Sequence, residues 1–355
     1  MHKACVRASG PQERLQRASA HLAPQGSLGA AAKALAQSAP GRQRPMTTAE
    51  QRRHHFLEHG YVIFEKALSL EQDIEPVRAS IDSLFNQQAQ AWLQQGHITT
   101  VHGDMPFERR LAAVAAQLPD SVFGNATGSD AASRAEGTLA GWARATDIMT
   151  SRLPAIHRLF FSPRLLDCIG QIVGEEICLS PIQHLRPYIR AREPGGRRPW
   201  MLHEWHQDMG VTTQEADHSE IVTCWIPLVD VSQDMGALQI YPDVARRREL
   251  LRTTTGGRGG LIVPDALPPH PPLTMELTAG DVLLISAFTP HRSTPNHSDS
   301  VRWSLDLRFQ PTGTHSGRAH LPSFVVRSAR DPASVDTDFD VWCAKWAAAS
   351  GAVRG

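Results

Sequence analysis

The sequence has no excess of charge of either sign: 36 Lys+Arg balance 36 Asp+Glu over 355 residues. A nucleic-acid binder usually carries a basic excess, so no such partner is expected. Long apolar runs are also missing. The longest, Val282 to Phe288, has Ser286 inside it and falls far short of the roughly 20 residues a membrane-spanning helix needs. Cysteine is scarce and scattered, at positions 5, 168, 178, 224 and 343, with no CxxC pair. That excludes a disulfide framework or a zinc ribbon and suits a reducing compartment with mostly buried thiols. No internal repeat is evident. What is present, 41% hydrophobic and 20% charged residues, suits a globular chain.

The neutrality is uneven. Residues 1–45 hold Lys3, Arg7, Arg14, Arg17, Lys33, Arg42 and Arg44 against Glu13, and no aromatic residue. Such a stretch cannot bury enough apolar surface to offset its ordering entropy. It reads as a disordered leader or an over-extended start ahead of Met46, with organelle targeting as the lesser alternative to a cytoplasmic protein, because a transit peptide is also Arg-rich and acid-poor. Residues 46–355 carry the opposite balance and read as a single domain.

The front of that domain, about 47–175, reads as helices. Thr47 and Glu50 have capping-box spacing, and Gly60 stands where a helix would stop. Tyr61 to Phe64 reads as a strand. A second helix starts near Ser69, with Ile74, Val77, Ile81, Leu84 and Phe85 at helical spacing. Further helices are predicted over 108–118, 141–153 and Pro163–Val173, the last with Ser162 as N-cap and Gly174 as stop. Gly124 to Gly137 has loop composition. From about 178 to 310 the pattern changes to short β-branched and aromatic runs between Gly, Pro and Asp turns: 178–191, 203–210, 220–229, 237–241, 273–278, 282–287 and 301–309. These predict an antiparallel sandwich or barrel. The Gly-rich 252–260 reads as a mobile loop.

The segment His203-Glu204-Trp205-His206-Gln207-Asp208 carries the chemistry. On a strand, residues two apart point the same way, so His206 and Asp208 would offer an imidazole and a carboxylate to one point. These are two thirds of the 2-His-1-carboxylate facial triad of non-haem iron enzymes. The candidate third ligand is His291, 83 residues on. A zinc-protease reading fails, since His203 and His206 are one residue short of HExxH spacing. Eleven residues past His291 comes Arg302, in the alternating run Val301–Phe309. Its polar face, Arg302, Ser304, Asp306 and Arg308, either meets solvent or lines a cavity. In a cavity the planar guanidinium of Arg302 would suit a dicarboxylate, with Asp306 a partner for Arg302 or Arg308.

This order of HxD, distant His and then Arg resembles the phytanoyl-CoA dioxygenase-like (PhyH) family of Fe(II)/2-oxoglutarate-dependent dioxygenases. The resemblance runs from about Thr47 to near Trp346 and includes Gly60-Tyr61-Val62, Trp205-His206-Gln207-Asp208 and Gly280-Asp281-Val282. It implies a mainly β fold with α, in which a double-stranded β-helix (a jelly-roll, cupin-like barrel) is flanked by N-terminal helices. It implies that His206, Asp208 and His291 hold Fe(II), that Arg302 binds the distal carboxylate of 2-oxoglutarate, and that Ser293, Trp225 and Tyr188 contact the cosubstrate. With O2 it implies hydroxylation of a small molecule, a specialised metabolite or lipid-like acid, with release of succinate and CO2. A desaturase or epimerase variant, or a catalytically silent binding protein of the same fold, is the alternative. Asp208 leaves no vacancy for a halide, which favours hydroxylation over halogenation. One departure stands out: where the family often has Pro-Gly-Ser-His, Met235-Gly236 leads to Tyr241-Pro242-Asp243-Val244, so no substrate role is carried over from there. The variable residues of 100–140 and the 252–260 loop are expected to shape the pocket.

Overall fold

The computed structural model describes residue 46 and residues 48–123, 135–190 and 203–352. The expected leader, most of the expected loop at 124–137, and Thr47 lie outside these. Helix α1, Ala49–His59, begins one residue later than expected. Thr48 caps it: its hydroxyl accepts from the Gln51 N–H at 3.1 Å, and the Gln51 side chain accepts from the Thr48 N–H at 3.2 Å. Gln51 thus closes the capping box in place of Glu50. Gly60 ends the helix at φ 77°, and a Cβ there would meet Thr289 and Ala245 at 2.6 Å. Strand β1, Tyr61–Phe64, follows as expected.

Ser69 caps the next helix through the Gln72 N–H, but the first turn, Leu70–Ile74, is wound wide. Regular helix α2 runs Glu75–Gln94 and buries Val77, Ile81, Phe85, Ala89 and Trp92. Helices α3, Phe107–Gln117, and α4, Asp120–Phe123, come next. The helix expected over 141–153 ends early: α5 is Leu139–Thr146, and the next helix, α6, Pro154–Phe160, starts beyond the expected range. Asp147 turns extended after α5, and Leu153 is extended because Pro154 disfavours a helical residue before it. Helix α7, Pro163–Val173, has the expected bounds. Its Ser162 hydroxyl donates to Asp73 at 2.8 Å instead of capping.

The β half contains β2 (Ile177–Leu179), β3 (His184–Tyr188), β4 (Val222–Pro227), β5 (Leu238–Ile240), β6 (Leu273–Met275), β7 (Val282–Ser286), β8 (His291–Ser293), β9 (Arg302–Pro311) and β10 (Phe324–Arg327), and helix α8, Phe339–Ala352, closes the described chain. All strand pairs are antiparallel. The larger sheet runs β1-β7-β4-β9-β2-β10, with β3 also on β9; the smaller runs β6-β5-β8. These are the two sheets expected of a jelly roll. The run 178–191 is divided because β2 and β3 pair with different stretches of β9. The strand expected over 203–210 does not form. His206 makes a single bridge to His291, and Asp208–Val211 is a 3-10 turn.

β9 is the spine. Its odd-numbered face, Val301, Trp303, Leu305, Leu307 and Phe309, is buried in the core. Trp303 stacks on Phe107 at 5.1 Å and meets Trp142 edge-on at 6.5 Å, which joins the front helices to the sheet in one apolar cluster. Cys168, Cys178 and Cys224 are buried as expected, and burial pushes the Cys168 thiol up to about 12. The stretch 252–260 is tied down by Arg258, which bonds Asp217 and the Met209 and Thr212 carbonyls. No helix among the described residues is long and apolar enough to cross a membrane.

The Gly280-Asp281 turn has a mechanical role. Asp281 is buried, and its carboxylate accepts from the Lys66 N–H at 2.8 Å, the Thr278 N–H at 2.7 Å and the Thr278 hydroxyl at 3.1 Å. It therefore fastens β1 to the entry of β7. Asp281→Ala should lower unfolding stability by about 1–3 kcal/mol, since three hydrogen bonds to a buried charged acceptor are lost. An unshifted urea midpoint would show that these bonds contribute nothing.

Candidate active site

His206 and His291 lie opposite each other across their bridge, with ring centroids 4.2 Å apart. His206 Nδ1 faces the Glu204 carbonyl at 2.8 Å, and His291 Nδ1 faces the Thr289 carbonyl at 3.0 Å. Carbonyls only accept, so each Nδ1 donates, which leaves Nε2 as the nitrogen each ring can offer to a metal. Both Nε2 atoms lie 3.9 Å from an oxygen of Asp208. Burial, and then His291, push His206 down to about 4, which keeps its imidazole neutral.

Asp208 is 1% exposed. Burial would raise its pKa, but the Arg308 guanidinium together with His291 and His206 outweighs this and holds the carboxyl well below the usual carboxylate range. Arg308 Nη2 donates to Oδ1, and the Thr223 hydroxyl donates to Oδ2. Each oxygen keeps a lone pair for a further partner. The donor atoms of the three residues lie within 4.8 Å of one another. Two imidazoles and one carboxylate fit a divalent first-row metal, although the trio stands a little wider than an ion with bonds of about 2.1 Å draws its ligands.

The backbone between the ligands is held from a distance. Gln207 donates to the Glu249 and Phe288 carbonyls at 3.0 and 2.7 Å and accepts from the Leu251 N–H at 2.7 Å. The Met209 N–H reaches the Ala287 carbonyl at 2.8 Å. These bonds bring Asp208 to the His206 side without a strand.

The neighbouring cavity is lined by residues from both sheets, among them Arg186, His203, Trp225, His291, Ser293 and Arg302. The even-numbered face of β9 is thus buried, and the solvent reading of that face is overturned. Arg302 is 3% exposed. It donates to the Gly236 carbonyl and to Ser293 Oγ at 3.2 Å, and lies over the Tyr188 ring at 4.6 Å and the Trp225 ring at 5.8 Å. No carboxylate among the described residues pairs with it; Asp306 sits 3.6 Å from Arg308 instead. Burial pulls Arg302 down to about 10 and pushes Tyr188 up to about 12, and the Tyr188 hydroxyl has no hydrogen-bond partner.

All seven residues singled out in the sequence therefore meet at one place. Sequence reasoning missed the roles of Thr223, Gln207, Arg308, Gly236, Arg186 and His203. Gly236 had a signal in the Met235-Gly236 turn. It sits at φ 81°, where a Cβ would lie 2.5 Å from the Tyr188 ring. Tyr241, from the departing segment, packs on Trp205 at 4.7 Å and does not line the cavity. No described residue of 100–140 or 252–260 lines it either.

Residues 56–304 match the phytanoyl-CoA dioxygenase (PhyH) family. The chain belongs to that family. This PhyH chain is 30% identical over 170 residues to 1-deoxypentalenic acid 11-beta-hydroxylase of Streptomyces arenae, covering 45% of itself and 58% of that protein. It is 27% identical over 154 residues to methylphosphonate hydroxylase of Gimesia maris, covering 43% and 53%. It thus spans little more than half the length of these curated relatives. Among solved structures, it is similar to the apo non-heme monooxygenase ThoJ, with 15% identity, a TM-score of 0.49 and coverage of 84% of this chain and 96% of that one. It is also similar to the epimerase SnoN, with 17% identity, a TM-score of 0.46 and coverage of 76% and 88%.

Arg308 generates a prediction about metal affinity. Arg308→Gln should weaken Co(II) or Zn(II) binding by about 10–100-fold, because partners behind a metal ligand orient it and hold its charge state. Calorimetric titration reads this. Wild-type affinity in a folded variant would remove Arg308 from that role.

Proposed function

We propose that this PhyH chain is an Fe(II)/2-oxoglutarate-dependent dioxygenase that hydroxylates a small-molecule acid, releasing succinate and CO2. One observation carries the reading. A trio of two imidazoles and a buried carboxylate shares a cavity with Arg302, a buried cation that no described carboxylate pairs with. An unpaired buried charge is costly, and a dicarboxylate spanning from the trio to Arg302 would relieve it.

His206, Asp208 and His291 would hold the iron. When bound, iron with 2-oxoglutarate and O2 supplies the oxidising chemistry. The chain's own residues do the rest. Arg302, backed by the Gly236 carbonyl and Ser293, would hold the distal carboxylate in a fixed plane. The Tyr188 hydroxyl, which lacks a partner, supplies a donor beside it. The Tyr188 and Trp225 rings against Arg302 keep water away from the cation. Support for an acid as substrate comes from the names of the relatives, whose substrates are 1-deoxypentalenic acid and methylphosphonate.

With Fe(II), ascorbate and 2-oxoglutarate, the protein should form succinate, and His206→Ala or Asp208→Ala should abolish this. Arg302→Gln should raise the 2-oxoglutarate concentration for half-maximal turnover by about 10–100-fold, the equivalent of one charged hydrogen-bonded contact. Absence of both succinate and metal-dependent 2-oxoglutarate binding in the wild type would overturn the reading and leave a silent binding protein.

A further inference from the structure

On β3, His184, Arg186 and Tyr188 share one face, paired in register with Asp306, Ser304 and Arg302 of β9. Two of the three are committed. His184 bonds Asp147 at 3.0 Å, and Tyr188 underlies Arg302. Arg186 is half-buried and lines the cavity, yet none of the hydrogen bonds or ion pairs among the described residues involves it. The nearby carboxylates have other partners, although the field of Arg186 reaches Asp147. Asp147 also accepts from the Leu185 and Met149 N–H groups, Asp306 faces Arg308, and Asp208 takes Arg308 and Thr223.

The charges around the cavity do not cancel. The guanidiniums of Arg186, Arg302 and Arg308 face the carboxylates of Asp208 and Asp306. A divalent ion and a dianionic 2-oxoglutarate cancel each other, so loading the site would leave the same single positive excess. With Arg302 assigned to the cosubstrate and Arg308 bound to Asp208, Arg186 is the lining guanidinium left without a hydrogen bond or ion pair among the described residues, Asp147 acting on it only through its field. His203 belongs to the same wall. Its ring lies 6.1 Å from that of His206, which puts this wall beside the metal ligands. The rest of the lining includes Trp225, Leu238 and Ile285, surfaces that suit a hydrocarbon body.

We propose that Arg186 anchors the substrate: it takes a carboxylate or phosphonate head group of a compact, largely apolar molecule and so sets which C–H bond faces the metal ligands. The inference rests on the function proposed above and deepens it. A guanidinium forks onto either oxyanion, and the two sources are separated by the probes.

The test is calorimetric titration of the anaerobic protein with Fe(II) and 2-oxoglutarate, using cyclohexanecarboxylate, cyclohexylphosphonate and the uncharged cyclohexanecarboxamide. At least one anion should bind while the amide does not, and the tighter of the two identifies the head group. Arg186→Gln should weaken that anion by 10-fold or more and leave 2-oxoglutarate affinity within about twofold; Arg186→Lys should retain part of the affinity. Thermal melts establish that the variants fold, and the Lys variant carries the test if the Gln variant does not. Equal anion binding by wild type and the Gln variant would overturn the proposal, as would equal binding of amide and anion, or no anion binding at all. Loss of 2-oxoglutarate affinity in place of anion affinity would assign Arg186 to the cosubstrate. The titrations are repeated without metal and cosubstrate. Anion binding that depends on Arg186 there, with no 2-oxoglutarate binding in the loaded state, would sink the dioxygenase reading and keep the anchor.

Discussion

Asp208 is a carboxylate almost sealed from water, and it stays ionised because Arg308 and Thr223 both donate to it. The pair is also a constraint on the fold. Arg308 stands on β9 and Thr223 opposite it on β4, while Asp208 comes from a 3-10 turn outside any strand. The carboxylate therefore ties an irregular segment to the centre of the larger sheet. A buried charge that lost its partner would cost several kcal/mol, so the position of this turn is over-determined. The Gln207 and Met209 contacts to 287–288 repeat the same restraint through neutral bonds.

The same strand explains why the site is polar inside an otherwise apolar protein. β9 is buried on both faces, with Trp303, Leu305 and Leu307 on one and Arg302, Ser304 and Arg308 on the other. A sheet face that carries guanidiniums indoors needs counter-charges. Arg308 finds two, Asp208 and Asp306. Arg302 finds carbonyl and hydroxyl oxygens and two aromatic faces, which solvate a cation without neutralising it. The cavity is thus a place where anions gain more than elsewhere on the chain.

Much of this was legible in the sequence, for reasons of chemistry. A facial triad needs two imidazoles and a carboxylate, and His206, Asp208, His291 and Arg302 keep an order that makes them candidates whatever backbone lies between. Helix ends at Gly60 and Gly174 were legible because φ near 80–90° excludes most other residues. The conformation of 206–210 was not, because its backbone partners stand some 80 residues away. Strand β8 is three residues long, too short to show a period of two. Thr47 and Thr48 offer the same hydroxyl, and only the reach of Gln51 decides between them. Arg186 was invisible for a different reason. An arginine on a strand ordinarily faces water, and its burial is decided by β9, more than 100 residues later.

The domain's average charge works against its site. Residues 46–355 hold 29 basic and 35 acidic residues, so their long-range field repels the anions that the cavity is built to take. At physiological salt that field fades within about 8 Å of the surface, whereas charges in a buried cavity are screened far less. On the proposed reading, attraction is therefore confined to ligands already at the mouth, and selection would occur by fit against Arg302 and Arg186 rather than by capture at a distance. Arg302 and Arg186, neither of which has an ion-paired carboxylate among the described residues, would then act only on molecules shaped to reach them.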